Sequence, residues 1–375
     1  MAGFVSEKDL KELKIFFVAG GGPDDNKIHG MNRCLVNVGG KPVLERMLDV
    51  FHDLDAKNIY IAGNADELSN ALEPRGQEYI DCVGLLSTKV DRILREFSFS
   101  KEEPVLFMFS DTPLFNKDSL IYYLSKCDLD RGDIFVPLVP KEYIQLFSSY
   151  FDRNYFFTRD IDSRVNCMHL VKPARCDFRY IQNLRESRKI DSQDPDFGTK
   201  TQRKNFAANM FRAFGFGGLF FGIKALLNSR LYRTKYRNLH RFLKDVTTLN
   251  EIEKYASRVF SARAKSVIIP YAETTLDIDG THDAGIFTQY LPELEDIVSR
   301  EHQIIDYLNS RSNLIEQIAT SSSIPDEQRM QMLYSEMDGN ARTFLSALKE
   351  DYHSFRRLLQ IYSKKGPKAE GLRRD

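Results

Sequence analysis

The chain has 375 residues, which is long enough for two domains. Of these residues 42% are hydrophobic and 28% are charged, a composition typical of folded proteins. Its 53 basic and 53 acidic residues give a formal net charge of zero, so bulk charge indicates no electrostatic partner. Five cysteines lie far apart without a Cys-x-x-Cys pair, which argues against a disulfide framework and a zinc site. The N-terminus has acidic residues and no apolar core, so we expect no signal peptide and a cytoplasmic location.

Apolar runs alternate with helical patterns between about residues 14 and 140. The runs read KIFFVA, NIYIAG, PVLFMF and DIFVPLV, and the helical patterns between them include VLERMLDVFHDL and LSTKVDRILREF. This alternation predicts an α/β fold with a mainly parallel sheet. Residues from about 141 to 200 have the pattern of strands and loops, and a further strand, Ser266 to Pro270, is expected to return to the core.

A basic, aromatic segment interrupts this pattern, within a helical insertion that we place at about 201–262. Residues 203–244 contain ten Lys or Arg residues and no Asp or Glu. A membrane span is disfavoured because Arg212 and Lys224 interrupt the apolar run and glycines would break its helix. We expect the insertion to pack on the core, with peripheral contact to anionic lipid as the alternative. It lacks a recognised nucleic-acid motif, so we expect no nucleic acid.

The pattern becomes purely helical after Gln289. One helix is expected from about Leu294 to Ala319, and a second begins near Met330, where apolar residues recur at steps of three and four. The two predict an antiparallel hairpin followed by a tail. The apolar stripe is interpreted as buried packing, and homodimerisation through these helices is the alternative.

The richest motif lies between Val18 and Pro42, in the run VAGGGPDDNKIHGMNRCLVNVGGKP. A strand ending in glycines allows backbone N–H groups to approach phosphates, although a tight turn alone also requires glycine. The spacing is neither a P-loop nor GxGxxG opening directly into a helix. Two later segments add carboxylates: Ser110-Asp111-Thr112-Pro113-Leu114 after an apolar strand, and Asp277-Ile278-Asp279, whose aspartates would share a face if extended.

These motifs, in this order, resemble the nucleotidyltransferase superfamily, in particular its MobA-like NTP transferase branch. The resemblance covers about residues 15–289 and runs through Ala19-Gly20-Gly21, Asn32-Arg33-Cys34-Leu35 and Gly40-Lys41-Pro42-Val43-Leu44-Glu45. It implies a Rossmann-like GT-A core at 15–289, a preceding segment at 1–14 and a C-terminal helical extension at 290–375. The family carries a lysine where Arg33 stands, so this chain keeps the positive charge but changes its shape. Gly280 and His282 also depart from the family pattern.

The resemblance implies roles for particular residues. Asp111 and Asp279 would bind Mg²⁺, with Asp277 a weaker ligand candidate, because Mg²⁺ prefers hard oxygen ligands. Arg33 and Lys27 would stabilise pyrophosphate. The remaining residues expected at the nucleotide or acceptor are Ala19, Gly20, Gly21, Gly22, Asn32, Lys41, Arg164 and Asn166. A cap, a turn or an exposed polar pair remains the structural interpretation of each residue taken singly.

The implied reaction is Mg²⁺-dependent transfer of a nucleoside monophosphate from an NTP to a phosphorylated small-molecule acceptor, with release of pyrophosphate. One alternative is a GT-A-type glycosyltransferase that uses a nucleotide sugar and does not need a cation at Arg33. Another is a catalytically silent nucleotide-binding scaffold, which the replacement of the family lysine would favour. The base and the acceptor are not set by these motifs.

Overall fold

The computed structural model describes residues 5, 7–20, 27–28, 30–179, 237–310 and 328. The chain forms two compact units, Met1–Lys141 with Tyr150–Leu291 and Glu142–Ser149 with Pro292–Asp375. All residues of the candidate site described below belong to the first unit.

The described residues contain strands and helices in the first unit, and two helices, Lys141–Ile144 and Thr281–Ser310, have residues in both units. The strands are β1 (Lys14–Val18), β2 (Lys27–Ile28), β3 (Met31–Asn32), β4 (Asn37–Val38), β5 (Lys41–Pro42), β6 (Asn58–Gly63), β7 (Glu78–Asp81), β8 (Val105–Phe109), β9 (Ile134–Pro140), β10 (Phe156–Phe157), β11 (Asp162–Val165), β12 (Met168–Val171) and β13 (Ala264–Ile268). The helices are α1 (Glu7–Leu10), α2 (Val43–His52), α3 (Ala65–Ala71), α4 (Leu86–Glu96), α5 (Lys117–Lys126), α6 (Lys141–Ile144), α7 (Arg237–Asp245), α8 (Leu249–Val259) and α9 (Thr281–Ser310).

One mixed sheet organises the first unit, with strand order β10-β11-β9-β12-β8-β1-β6-β7 and β13 paired to β9. Strands β7, β6, β1 and β8 run parallel, as do β9 and β13, while β12 is antiparallel to both β8 and β9. The predicted α/β fold with a mainly parallel sheet is therefore confirmed. The chain passes from β1 outward to β6 and β7 and then returns to β8 on the other side of β1. Open α/β sheets bind ligands at such a reversal, beside the carboxyl ends of the strands.

Helices cover both faces of the parallel strands because neighbouring residues of β1 point to opposite faces. On one face Phe16 stacks on Phe107 of β8 and belongs to a core that includes Val90 and Ile93 of α4. On the other face Phe17 packs edge-on against Phe51 of α2. Alternation along a single strand thus binds one helix to each side of the sheet.

The apolar runs predicted as strands correspond to β1, β6, β8 and β9, and the two helical patterns correspond to α2 and α4. The strand expected at Ser266 to Pro270 begins earlier, at Ala264, and ends at Ile268. The segment of Asp277 and Asp279 forms no strand, and follows the short 3₁₀ helix Ala272–Thr275 instead. The segment therefore lacks the β-strand pairing under which the sequence would place both aspartates on one face.

Helices α7 and α8 occupy the described end of the insertion placed at 201–262, and its remaining residues lie outside the described ranges. Helix α9 begins at Thr281, well before the expected Leu294, and has non-helical backbone at Tyr290 close to Pro292. Three parts of the chain lie outside the described residues: 203–236 of the basic segment, the helix expected from Met330, and the tail. Among the described helices, none is long and apolar enough to cross a bilayer.

Candidate active site

The site lies where β1 and β8 end side by side. Asp111 follows β8 by two residues and is 3% exposed, while Ala19 and Gly20 follow β1. The Ser110 hydroxyl donates a hydrogen bond to the main-chain oxygen of Val18 at 3.0 Å, which ties the two strand ends together. Parallel pairing of β1 and β8 therefore places the predicted glycine turn beside the predicted carboxylate.

Gly20 requires its lack of a side chain for two reasons. Its φ is +71°, in the left-handed region that residues with a Cβ rarely adopt, and a Cβ there would lie 2.5 Å from Asn32 Nδ2. The buried Lys89 of α4 donates from Nζ to the main-chain oxygens of Ala19 and Gly20, the latter at 2.5 Å. Gly21 and Gly22 lie outside the described ranges, and only the backbone of Lys27 is described, in β2.

Asn32 and Arg33 are placed by a short capped turn. The Asn32 side chain accepts a hydrogen bond from the Cys34 amide at 3.3 Å and so caps the 3₁₀ helix Arg33–Leu35. The main-chain N–H of Asn32 donates a hydrogen bond to Glu67 Oε1 of α3 at 3.4 Å. These contacts give the nearly buried Asn32 a structural task and present the Arg33 side chain to the aspartates.

Arg33 bridges the two aspartates that the sequence nominated as metal ligands. Its Nη2 lies 2.5 Å from Asp111 Oδ2, and its Nη1 lies 3.6 Å from Asp279 Oδ1. Side-chain exposure is 18% for Arg33, 5% for Asp111 and 54% for Asp279. One guanidinium group therefore occupies the position between a buried carboxylate and an accessible one.

The segment 276–280 brings Asp277 and Asp279 to the site without forming a strand. The main-chain amide of Ile278 donates to the main-chain oxygen of Asp111 at 2.9 Å. Both carboxylates meet one guanidinium, since Arg164 Nη2 lies 2.9 Å from Asp277 Oδ1 and 3.7 Å from Asp279 Oδ2. The grouping expected from the sequence is therefore present, but irregular backbone and ion pairs produce it.

Arg153 is a further member of the cluster that the sequence analysis missed. Its side chain is only 5% exposed, and Nη1 lies 3.0 Å from Asp283 Oδ2 and 3.5 Å from Asp279 Oδ2. Its Nη2 donates to the main-chain oxygen of Asp277 at 2.7 Å. The Asp279 amide also donates to Asp283 Oδ2 at 3.0 Å, so Arg153 and Asp283 clamp the segment from both sides. No local motif marks an arginine whose partners lie more than a hundred residues away.

A bulge between β11 and β12 contacts the 3₁₀ helix that precedes this segment. Val165 pairs with Leu138 of β9, and Leu170 pairs with Phe135 of β9. The chain advances five residues from Val165 to Leu170 but only three along β9, so two extra residues form the bulge. Within the bulge the Asn166 side chain accepts from the Met168 amide at 3.0 Å and donates to Thr274 Oγ1 at 3.1 Å. Asn166 is 4% exposed, so its amide groups serve the protein interior.

Lys41 is placed apart from this set of contacts, in the exposed β4–β5 hairpin. Its Nζ pairs with Asp49 Oδ2 of α2 at 2.9 Å, and Asp49 also pairs with Arg75. Lys41 therefore belongs to a surface ion-pair network with Asp49 and Arg75.

The cluster perturbs its own protonation equilibria. Burial acts to raise the pKa of Asp277, but the charges of Arg164, Arg153 and Arg33 outweigh it, and the pKa lies below its usual range. Partial desolvation and the neighbouring Asp277 charge raise the pKa of Asp279 to about 6, against the opposing effect of the three arginines. For Arg33, burial acts to lower the pKa, but Asp111, Asp279 and Asp277 outweigh it and raise it. The guanidinium therefore stays charged.

The donor set fits a hard divalent cation in chemistry, because both Asp111 and Asp279 present carboxylate oxygens toward the same cationic group. Within the described ranges, no group of three or more Asp, Glu, His or Cys residues has the arrangement of a complete metal cage. Mg²⁺ commonly takes one or two carboxylates and completes its shell with substrate phosphates and water. Asp111 and Asp279 would be the residues to hold it, and it would offset negative charge on the phosphates.

Residues 19–176 match the family described as the MobA-like NTP transferase domain. Among curated proteins, none is significantly similar to this chain in sequence. A hypothetical transferase from Thermus thermophilus is 20% identical, with 72% of this chain and 99% of that chain covered and a TM-score of 0.48.

Two further solved structures are similar to this chain. The 4-diphosphocytidyl-2C-methyl-D-erythritol synthase from Anaerococcus prevotii is 11% identical, with coverage of 75% and 98% and a TM-score of 0.37. The 2-C-methyl-D-erythritol 4-phosphate cytidylyltransferase from Thermus thermophilus is 16% identical, with coverage of 52% and 84% and a TM-score of 0.28.

Proposed function

We propose that the protein transfers a nucleoside monophosphate from an NTP to a phosphorylated small molecule, because residues 19–176 match the MobA-like NTP transferase domain. An acceptor oxygen attacks the α-phosphorus, a new P–O bond forms, and the bond to the β-phosphate oxygen breaks to release pyrophosphate. The observation that carries the proposal is the convergence of Asp111, Asp279 and Arg33 beside the Gly20 turn.

The chain's own residues divide the task by position. The Ala19–Gly20 turn, which follows β1 and whose main-chain oxygens are held by Lys89, is proposed to receive the nucleotide. Arg33 is proposed to stabilise the negative charge on departing pyrophosphate, because a guanidinium can bind phosphate oxygens through two parallel hydrogen bonds. Mg²⁺, held by Asp111 and Asp279, would supply further charge stabilisation to the phosphates.

The acceptor is proposed to bind beside Arg164. Its guanidinium is partly exposed and pairs with Asp277 and Asp279, so an incoming phosphate would compete with both carboxylates. Of the two, Asp279 would keep partners when displaced, because it also pairs with Arg153 and Arg33. A phosphorylated acceptor is favoured over a neutral one because a neutral molecule would leave this guanidinium without a new partner. Asn166 is not assigned to the acceptor, since its side chain is bonded internally.

A ligand screen by thermal shift is the first test, since a ligand that binds only the folded protein raises its unfolding temperature. The four NTPs and a set of nucleotide sugars are compared with and without Mg²⁺ on wild type, Asp111→Asn and Asp91→Asn. Asp91 is an exposed aspartate of α4 and serves as the matched control. We expect one NTP to stabilise wild type and Asp91→Asn in a Mg²⁺-dependent manner, and Asp111→Asn much less.

Release of pyrophosphate in the presence of that NTP and a panel of phosphorylated acceptors then tests turnover. Arg33→Ala should reduce the rate by about 10² or more if the guanidinium stabilises the leaving group. A shift with nucleotide sugars alone, together with a rate that is insensitive to Arg33→Ala, would contradict the proposal and indicate glycosyl transfer. Absence of any nucleotide-dependent shift would indicate a catalytically silent scaffold that binds nucleotide weakly or not at all.

A further inference from the structure

Arg33 stands where a cation between Asp111 and Asp279 would stand. Resting on the proposed function, we propose that the Arg33 guanidinium competes with the divalent metal for these two carboxylates. The phosphates of the nucleotide then draw Arg33 away and open the pair to the metal. Nucleotide and metal would thus bind cooperatively in this chain because Arg33 cannot satisfy carboxylates and phosphates at once.

Arg33 lies closer to Asp111 than to Asp279. Asp111 is almost fully buried, and its Oδ2 is 2.5 Å from Arg33 Nη2. Asp279 is half exposed, and its contact with Nη1 is longer, at 3.6 Å. A metal could approach Asp279 from solvent, but coordination by the contacted oxygen of Asp111 requires Nη2 to leave. Arg33 itself is partly exposed and begins a capped 3₁₀ turn, so its side chain can swing while its backbone stays.

The net charge of the cluster also opposes simultaneous binding of Arg33 and a metal ion. The directly paired groups are the guanidinium groups of Arg33, Arg153 and Arg164 and the carboxylates of Asp111, Asp277, Asp279 and Asp283. With all of them ionised, three positive and four negative charges leave a net charge of −1. A divalent cation added to this set would make it +1, whereas without Arg33 it would pass from −2 to neutral. Like charges a few ångströms apart repel strongly at a poorly solvated site, so the metal and Arg33 oppose each other.

The planar shape of the Arg33 guanidinium lets it contact both carboxylates. Two different nitrogens of one planar group reach two carboxylates, which a compact ammonium group does less well. Arg33→Lys should therefore keep the charge but weaken the hold on one carboxylate. The competition is expected to be stronger with Arg33 than with a lysine at this position.

The test measures Mn²⁺ binding by electron paramagnetic resonance on the whole protein without nucleotide, so it does not depend on turnover. Arg33→Gln should bind Mn²⁺ about tenfold or more tightly than wild type, with Arg33→Lys between them. The matched control is Arg131→Gln, an exposed arginine that pairs loosely with Asp128, and it should behave as wild type. Arg33→Gln/Asp111→Asn should lose the gain. Equal affinities for wild type and Arg33→Gln, both reduced by Asp111→Asn, would reject the competition and leave the transferase site standing.

A second measurement separates competition from a general loosening of the site. Addition of a non-hydrolysable analogue of the preferred NTP should tighten Mn²⁺ binding more in wild type than in Arg33→Gln, because only wild type has a guanidinium to draw away. Equal tightening in both proteins would overturn the proposal. If Arg33→Gln fails to fold, the same comparison between wild type and Arg33→Lys decides it, with the smaller tightening expected for lysine. Failure of nucleotide and Mn²⁺ to bind any variant would contradict the proposed function itself.

Discussion

Arg153 and Asp283 form a buried ion pair across 130 positions of sequence, with Nη1 and Oδ2 3.0 Å apart. The pair encloses the segment of Asp277 and Asp279, because Arg153 also bonds the Asp277 carbonyl and Asp283 the Asp279 amide. The clamp therefore sets the backbone that carries two of the site's carboxylates.

Arg153→Met should lower the free energy of unfolding by about 3 kcal/mol, because it leaves the buried Asp283 carboxylate without its cation. Asp283→Asn is the partner substitution, and the double variant should be less unstable than the sum of the singles by about 1–3 kcal/mol. Urea unfolding of the four proteins measures this coupling. Strict additivity would show that the 3.0 Å contact contributes nothing specific.

Lys89→Met should weaken NTP binding while retaining the aliphatic packing of the side chain in α4. The substitution removes the ammonium group that holds the oxygens of Ala19 and Gly20, so the turn that is proposed to receive the nucleotide loses its anchor. We expect an increase in the NTP dissociation constant of about tenfold and a stability loss of about 1–3 kcal/mol. Lys126→Met, at an exposed lysine of α5, is the control and should change neither quantity. An unchanged dissociation constant for Lys89→Met would limit Lys89 to a stabilising role.

Gly20→Ala should destabilise the protein more than Gly40→Ala does. Both glycines have positive φ, but a Cβ at Gly20 meets the Asn32 side chain at 2.5 Å, whereas nothing lies within 4 Å at Gly40. Backbone strain alone costs about 1–2 kcal/mol, and the clash at Gly20 adds to it. Chemical denaturation of the two variants makes the comparison, and equal losses would show that Asn32 moves aside without cost.

Asp133 should contribute stability that depends on pH. Hydrogen bonds from Arg263 are the main reason that the pKa of Asp133 lies below its usual value, and they outweigh the opposing effect of burial. Its stabilising effect is thus complete above an unfolded-state pKa of about 4 and is lost as pH falls through the lower folded-state value. The difference in unfolding free energy between wild type and Asp133→Asn should therefore shrink between pH 5 and the acid limit of folding. A difference that stays constant over this interval would contradict the assignment.

The parallel part of the fold was predictable because its strands are buried on both faces. Continuous apolar runs such as that of β8 identify such strands without knowledge of their partners. The short edge strand β7, with only Ile80 buried, lacked that signal. The bulge at Asn166 was not predictable either, since it depends on which residues of β9 pair with β11 and β12.

The candidate site divides in the same way. Asp111 could be placed because it closely follows an apolar strand, and Arg33 because it stands in a recognisable motif. The sequence would place Asp277 and Asp279 on one face only if their segment were extended. In the structure the segment has no strand pairing, and long-range bonds with Arg153, Arg164 and Asp111 hold it. Arg153 was missed because its importance arises from burial and distant partners, neither of which local sequence encodes.

The hydrogen bond from the Ile278 amide to the Asp111 carbonyl joins two segments that are made far apart in time during synthesis. This contact closes a long loop of chain, so its loop-closure entropy cost is larger than that of a contact between neighbouring segments. The family match ends at residue 176, well before Ile278. A fragment cut to that match would possess the glycine turn, Arg33 and Asp111, yet it would leave the Arg33 guanidinium with only one of its two carboxylates.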